Sequence, residues 1–282
     1  MRVVFIGAGN IAVSLSAGFQ QKGHTVVQIW SRTLASAQQL ADRLKDGGQI
    51  AATDQLTDIL PDADLYVLAV KDGALAETAE RLGQVLTEKQ AEYAPQRLFV
   101  HVACTQPIET LRPLRAFGMT GVLYPFQSFV KSRVVDLGKV AFFVEGDSDR
   151  CTAALRELAH SFSPSVYDAD YDQRLYLHFA GNMAGNFSNC LYAIAKEVLD
   201  EAGLPLEVLL PVVDETAHKI HSLPPREAQS GPAARGDEVT IEKHLDLIDK
   251  MKTPTALDKT APASLLDVYR FFTHNIQSGA TY

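Results

Sequence analysis

Over the first 168 residues short apolar runs alternate with amphipathic stretches, and from Asp170 onward apolar positions recur almost only at helical spacing. Two periodicities followed by one predict a strand-and-helix domain and then a helical one. The chain opens on an apolar run from Val3 that breaks at two glycines and continues into a helical pattern. A second strand is expected over residues 25–30, a helix over 34–45, a short third strand over 50–54 and a turn or short helix over 56–62. Residues 63–70 are continuously apolar, the signature of a parallel strand covered on both faces. Further strands are expected over 96–102, 122–124 and 140–144, then a helix over 147–161 with an acidic cap and a last strand over 165–168. Beyond that, helices are expected at about 171–201, 206–220, 240–251 and 264–276, broken at Gly203-Leu204-Pro205 and in the proline- and glycine-bearing stretch 223–237.

The opening stretch Gly7-Ala8-Gly9-Asn10-Ile11-Ala12 reads as a strand, a tight turn and a helix start. Gly7 permits the turn, and Gly9 lets the backbone N–H groups that lead into Asn10 and Ile11 approach an anion at the positive end of the helix. Ala12 takes the place of a third glycine, whose task is only close packing of helix on strand. The pattern is that of a dinucleotide-binding βαβ unit. An NAD-selective unit carries Asp or Glu at the end of its second strand; this chain has Ser31-Arg32-Thr33, which suits a 2′-phosphate and favours NADP over NAD. Open α/β sheets bind ligands at the carboxyl ends of their strands, so Ala69, Val70 and Lys71 after the fourth strand, and His101 and Cys104 at the end of the fifth, are expected along the cofactor. The fold class expected is α/β: a Rossmann-type, mostly parallel sheet domain over 1–168, followed by a smaller all-α domain over 169–282.

Composition narrows the partners. The chain has 282 residues with a formal net charge of −8 and no polybasic run, which argues against a nucleic-acid surface and for a small molecule. No run of about 18 apolar residues occurs and the first strand starts at residue 2, so a cytoplasmic location without membrane attachment is expected. Cys104, Cys151 and Cys190 are odd in number and lack CxxC spacing, which suggests buried thiols rather than disulfides or a zinc site.

The helix over 171–201 carries apolar residues around most of its circumference and is expected to be largely buried. At about 100° per residue, His178, Asn182, Gly185, Asn189 and Lys196 share a sector of roughly 60°, with Asn186 just outside it. Such a stripe either satisfies neighbouring backbone or faces a ligand. At about 1.5 Å per residue His178 and Lys196 are ~27 Å apart, so one small site cannot hold both; the middle, Asn182, Asn186 and Asn189, is the better candidate, with His178 as proton donor. Lys196 reads equally as a surface lysine. Two other stretches admit two readings each. Residues 124–129, Tyr-Pro-Phe-Gln-Ser-Phe, are an aromatic loop that either covers a pocket or packs as plain core. The stretch around Arg235-Gly236-Asp237 either reaches over a ligand or fixes a helix–helix connection.

Taken with Pro125-Phe126-Gln127-Ser128-Phe129, Asn186-Phe187-Ser188-Asn189 and residues 231–237, these motifs resemble a bacterial family that pairs a Rossmann-like NAD(P)-binding domain with a helical domain of unknown function. That family is similar in plan to pyrroline-5-carboxylate reductase, ketopantoate reductase and 6-phosphogluconate dehydrogenase. The resemblance implies a helical domain that closes the substrate site and forms a homodimer. The chain departs from the pattern at His101-Val102-Ala103-Cys104, where His-Thr-Ser-Gly is expected, and at Cys190, where histidine is expected. It also lacks the Gly-x-x-x-Lys-x-x-Asn pattern of hydroxyacid dehydrogenases. The function expected is an NADP-dependent oxidoreductase transferring a hydride between NADPH and a small carbonyl or imine; a non-enzymatic NADP(H)-binding sensor or scaffold is the alternative.

Overall fold

The computed structural model describes residues 1–44, 49–251 and 264–279; Lys45, the last residue of the helix expected over 34–45, lies outside them. Two compact units result, Met1–Gly181 and Asn182–Tyr282. The helix that opens the expected second domain begins at Tyr171 and its first part falls in the first unit.

The first unit is an eight-stranded sheet in the order β3-β2-β1-β4-β5-β6-β7-β8. Its strands are β1 (Arg2–Ile6), β2 (Thr25–Trp30), β3 (Ala51–Thr53), β4 (Leu65–Leu68), β5 (Leu98–His101), β6 (Met119–Phe126), β7 (Ala141–Gly146) and β8 (Val166–Asp168). Neighbours run parallel except β6 and β7. The period-2 pleat sorts β1 cleanly: Val3 and Phe5 enter one core layer and Val4 and Ile6 the other, all four fully buried. The first layer is covered by α1 (Asn10–Gln21), α2 (Leu34–Arg43) and α4 (Asp149–Phe162), and the second by α3 (Asp72–Glu88) with the 3₁₀ segment Ile108–Leu114.

Several local expectations change. β6 runs on through Phe126, so half of the aromatic stretch is strand; Tyr124 and Phe126 join a small cluster with Cys104, and only from Gln127 does the chain leave the sheet. The cap of α4 is Ser148, whose Oγ accepts from the Cys151 N–H, rather than an acid; Asp147 instead accepts from the backbone and hydroxyl of Thr120.

The long helix is broken in character. α5 (Tyr171–Gly181) is followed by a π-helical turn, Asn182–Phe187, and then by α6 (Ser188–Glu201). A π turn closes its hydrogen bonds five residues apart, so the uniform 100° phase behind the polar sector does not run through it. Nor is this stretch largely buried within the chain: Tyr176, Phe179, Met183 and Phe187 are each more than half exposed, and Arg174 and Ile194 are its buried residues. Lys196 pairs with Asp200 one turn on, an exposed i,i+4 pair.

In the second unit, α7 (Leu210–Lys219) is preceded by a 3₁₀ turn, and α8 (Pro232–Arg235), α9 (Glu238–Lys250) and α10 (Leu265–Gln277) pack on one another. Arg235-Gly236-Asp237 proves to be a connection. Gly236 takes the left-handed conformation that ends α8, φ 64°, and the Asp237 carboxylate accepts from both the N–H and the hydroxyl of Thr240 to cap α9. The His244 ring and the Tyr269 hydroxyl, 2.8 Å apart, tie α9 to α10. Among the described residues no helix is long and apolar enough to cross a membrane.

The tightest point of the sheet is the end of β1. The Gly7 N–H donates to the Trp30 carbonyl at 2.8 Å while the Ala69 N–H donates to the Ile6 carbonyl at 2.8 Å, so three strand ends are laced together there. Gly7 has φ 120°, and a Cβ on it would stand 2.6 Å from the Ala69 carbonyl carbon and closer still to its oxygen. We expect Gly7→Ala to cost about 3 kcal/mol or more, from the clash and the strained φ together. Urea unfolding measures it, and a loss under ~1 kcal/mol would show that the strand ends can separate.

Candidate functional site

A cavity of about 710 Å³ opens at the carboxyl ends of β1, β2, β4 and β5. Its size is that of an ordinary cofactor or substrate cleft. It sits where the strand order reverses between β1 and β4, the position at which open α/β sheets bind ligands.

Three groups of side chains and backbone line it. Gly7, Ala8, Gly9, Asn10 and Ile11 form the turn into α1, with Gly9 as the residue that precedes the helix. Ala12, behind them, is fully buried against the sheet. Trp30, Ser31, Arg32, Thr33 and Ser36 form the end at β2, where the Thr33 hydroxyl donates to Ser36 Oγ at 2.9 Å. Ala69, Val70, Lys71, Asp72, Ala103 and Cys104 form the end at β4 and β5 with Tyr124 and His178, and Gln127, Phe129 and Lys131 complete the lining. The fit to a dinucleotide is a backbone fit: a Cβ at Gly7 would collide with the Ala69 carbonyl, so glycine there keeps the turn close against the strand ends, whereas one at Gly9 would meet the same oxygen at an ordinary 3.7 Å.

The β5 end is the drier one. Burial pushes the Cys104 thiol up, helped by Asp72, against the lowering effects of its contact with Tyr124 and of Arg174. Burial likewise pushes the Tyr124 phenol up, followed by its contact with Cys104. Both therefore stay protonated at neutral pH, and the Cys104 thiol donates to the Arg174 carbonyl at 2.9 Å. Across from them the Thr105 hydroxyl donates to the Asp72 carboxylate.

Residues 2–91 match the family described as NADP oxidoreductase coenzyme F420-dependent, and residues 140–276 match a domain of unknown function, DUF2520. A crystal structure from Bacteroides fragilis, assigned to the NADP oxidoreductases, is 36% identical over 98% of both chains, with a TM-score of 0.82. The chain belongs to this NADP oxidoreductase family. A second relative is the pyrroline-5-carboxylate reductase of Pseudomonas aeruginosa, 32% identical over 112 residues; that match spans 39% of this chain and 37% of the enzyme. The reductive aminase of Aspergillus terreus, solved with NADPH and ethyl-5-oxohexanoate, shares the fold over 99% of this chain at 15% identity and a TM-score of 0.62.

Within this family member the sequence-predicted positions divide. Gly7, Gly9, Asn10, Ile11, Ser31, Arg32, Thr33, Ala69, Val70, Lys71, Cys104 and His178 meet on one cavity. His101 does not reach it: the ring is fully buried beneath the β5 end and Nδ1 accepts from the Ala103 N–H at 3.2 Å. Asn182, Asn186 and Asn189 belong to the other unit, where Asn186 Nδ2 donates to Asn182 Oδ1. Sequence reasoning passed over Ser36 and Lys131, whose place on the lining depends on which way a helix and a connection face. It also passed over Arg174. This fully buried guanidinium ion-pairs with Glu145 on β7 and donates to the carbonyls of Ala169 at 3.0 Å and Gln106 at 3.1 Å, so it fastens α5, and with it His178 and the Cys104 contact, to three separate segments of the sheet domain. An arginine in an amphipathic helix gives no sign in the sequence that it faces inward.

Burial, with the charge of Arg174 as the second cause, pushes His101 down to about 3, so its ring is neutral. The unfolded chain takes up that proton below the ordinary histidine value near 6.5, and the folded chain takes it up only near 3. Between those values the unfolded state binds more protons, so stability falls as pH drops, by up to about 1.4 kcal/mol per unit. We expect urea midpoints to decline from pH 6.5 to 5, and His101→Gln to flatten that decline; an unchanged slope would mean that His101 is not its source.

Proposed function

We propose that this protein holds NADP(H) in the cavity and transfers a hydride between NADPH and a small carbonyl or imine substrate. The observation that carries the reading is the β2 end of the cavity. Arg32 with the hydroxyls of Ser31, Thr33 and Ser36 lines it where an NAD-selective unit would carry an acid. The likeness to a pyrroline-5-carboxylate reductase supports an imine among the candidates.

When bound, the cofactor supplies the hydride. The residues of this chain bind, orient and protonate. Gly7 and Gly9 admit the phosphates against the backbone at the start of α1, Ala69 to Lys71 line the floor, and the buried Cys104 and Tyr124 keep water from the reacting end. His178 stands on the lining, and an imidazole is a common general acid, which supports it as the donor to the product oxygen or nitrogen. The setting proposed is the reducing cytoplasm, where Cys104, Cys151 and Cys190 remain thiols, as they are here.

Two outcomes are expected of one titration series. NADPH binds more tightly than NADH, and Arg32→Ala removes much of that preference, a loss of about 1–3 kcal/mol for a charge-assisted contact; equal affinities in the unmutated protein refute the assignment. Incubation of the NADPH-bound protein with imines, keto acids and aldehydes should then oxidise the cofactor. Tight binding with no turnover across the panel would sink the enzyme reading and leave a sensor or scaffold.

We also propose a homodimer through the helical region. Met183 and Phe187 on the π turn and Leu191 and Tyr192 on α6 leave large apolar side chains exposed in the second unit, and exposed apolar surface of this kind marks interaction sites. Val239, Leu247, Phe271 and Phe272 extend the same character to α9 and α10. Light scattering at micromolar concentration should give twice the 30.8 kDa of one chain. A mass of one chain that persists on concentrating would reject the dimer.

A further inference from the structure

The connection between β6 and β7, residues 127–140, is longer than an antiparallel pair needs. It is a strap pinned at several points. Phe129 and Leu137 are buried in the core layer shared with α1 and α2, and the Val135 N–H donates to Ser14 Oγ on α1 at 3.1 Å. Between these pins the Lys131 carbonyl accepts from Arg43 Nη1 at the end of α2. The backbone of Lys131 is thereby tied to the last residue of the helix whose first turn carries Ser36, and Lys131 and Ser36 are both on the cavity lining.

A phosphate monoester carries between about −1.5 and −2 charges at neutral pH. The β2 end of the cavity supplies Arg32 and three hydroxyls, so one guanidinium alone leaves part of that charge uncompensated. Lys71 lies at the other end with Asp72, and among the described residues Asp72 is the one acid on the lining, held there by Thr105. No second acid among the described residues shares the lining with Lys131. We propose that Lys131 is the second cation of the 2′-phosphate site, so that cofactor choice is made jointly by a residue after β2 and a residue on the strap. The proposal rests on the reading that the cavity holds NADP(H).

The protein carries its own probe. Trp30 is the one tryptophan of the sequence and lines the cavity beside Ser31, so its fluorescence reports on ligands there. Titrations with NADPH, NADH and 2′,5′-ADP are run on the unmutated protein and on Lys131→Gln, Lys131→Arg and Arg32→Ala, with circular dichroism melting to confirm that each variant is folded. Lys131→Gln should weaken NADPH and 2′,5′-ADP about 5- to 10-fold, the scale of one exposed charge-assisted contact, and leave NADH within twofold. Lys131→Arg should keep the preference, and Lys131→Gln should also lessen the salt dependence of NADPH binding. Unchanged NADPH affinity in Lys131→Gln overturns the proposal, as does an equal loss for NADPH and NADH, which would place the lysine on the pyrophosphate. If the unmutated protein prefers NADPH and Lys131 is indifferent, the proposed function stands without this residue; if the unmutated protein binds neither dinucleotide, the function itself falls.

Discussion

The absence of a side chain at Gly7 is the constraint on which the rest of this structure depends. The carbonyl of Ala69 occupies the space a Cβ would need, and this lets the ends of β1, β2 and β4 close on one another through backbone hydrogen bonds. Because strand order reverses between β1 and β4, the chain leaves these ends in different directions and cannot fill the space above them. The cavity is the geometric remainder of that divergence. Its chemistry is then set by what the adjoining turns happen to carry: hydroxyls and a guanidinium after β2, and a thiol and a phenol kept neutral by burial toward β5 and β6.

A second, buried constraint holds the β5 side together. A charge taken wholly out of water costs several kcal/mol unless it is paired and hydrogen-bonded. Arg174 is paired with one carboxylate and two carbonyls, each from a different segment, while its Nε is buried without a partner among the described residues. The same cation lies close enough to His101 to oppose its protonation. One buried guanidinium thus orders the helix that bears His178 and adds to the burial that keeps a neighbouring imidazole neutral.

Much of the sheet domain was legible because its signals are local. The glycines of the first turn, the apolar run of β4 and the Ser-Arg-Thr end of β2 each sit within a few residues of one another, and each took its expected place. What was not legible depends on contacts between distant residues or on departures from regular geometry. His101 was read as lining the cavity because it ends a strand, but the pleat turns its ring into the core. The polar stripe assumed a uniform helix, and the π turn at Asn182–Phe187 removes that uniformity. The expected burial of the long helix followed from its apolar circumference, which says that these faces avoid water without saying which molecule covers them. Arg235-Gly236-Asp237 was open between two readings, and the left-handed glycine with the aspartate cap resolved it as a connection.

The strap between β6 and β7 has an evolutionary consequence. Since β7 runs antiparallel to β6, the chain can return without building a crossover helix, and the register of the sheet places no demand on the residues between. The positions tied to the core or to α1 are Phe129, Val135, Leu137 and Val140. The exposed positions among them can be exchanged one at a time at little cost to folding. Such a lineage can retune what its cavity accepts through an accessory ribbon while the sheet beneath stays fixed, which separates the pace at which ligand preference drifts from the pace at which the fold does.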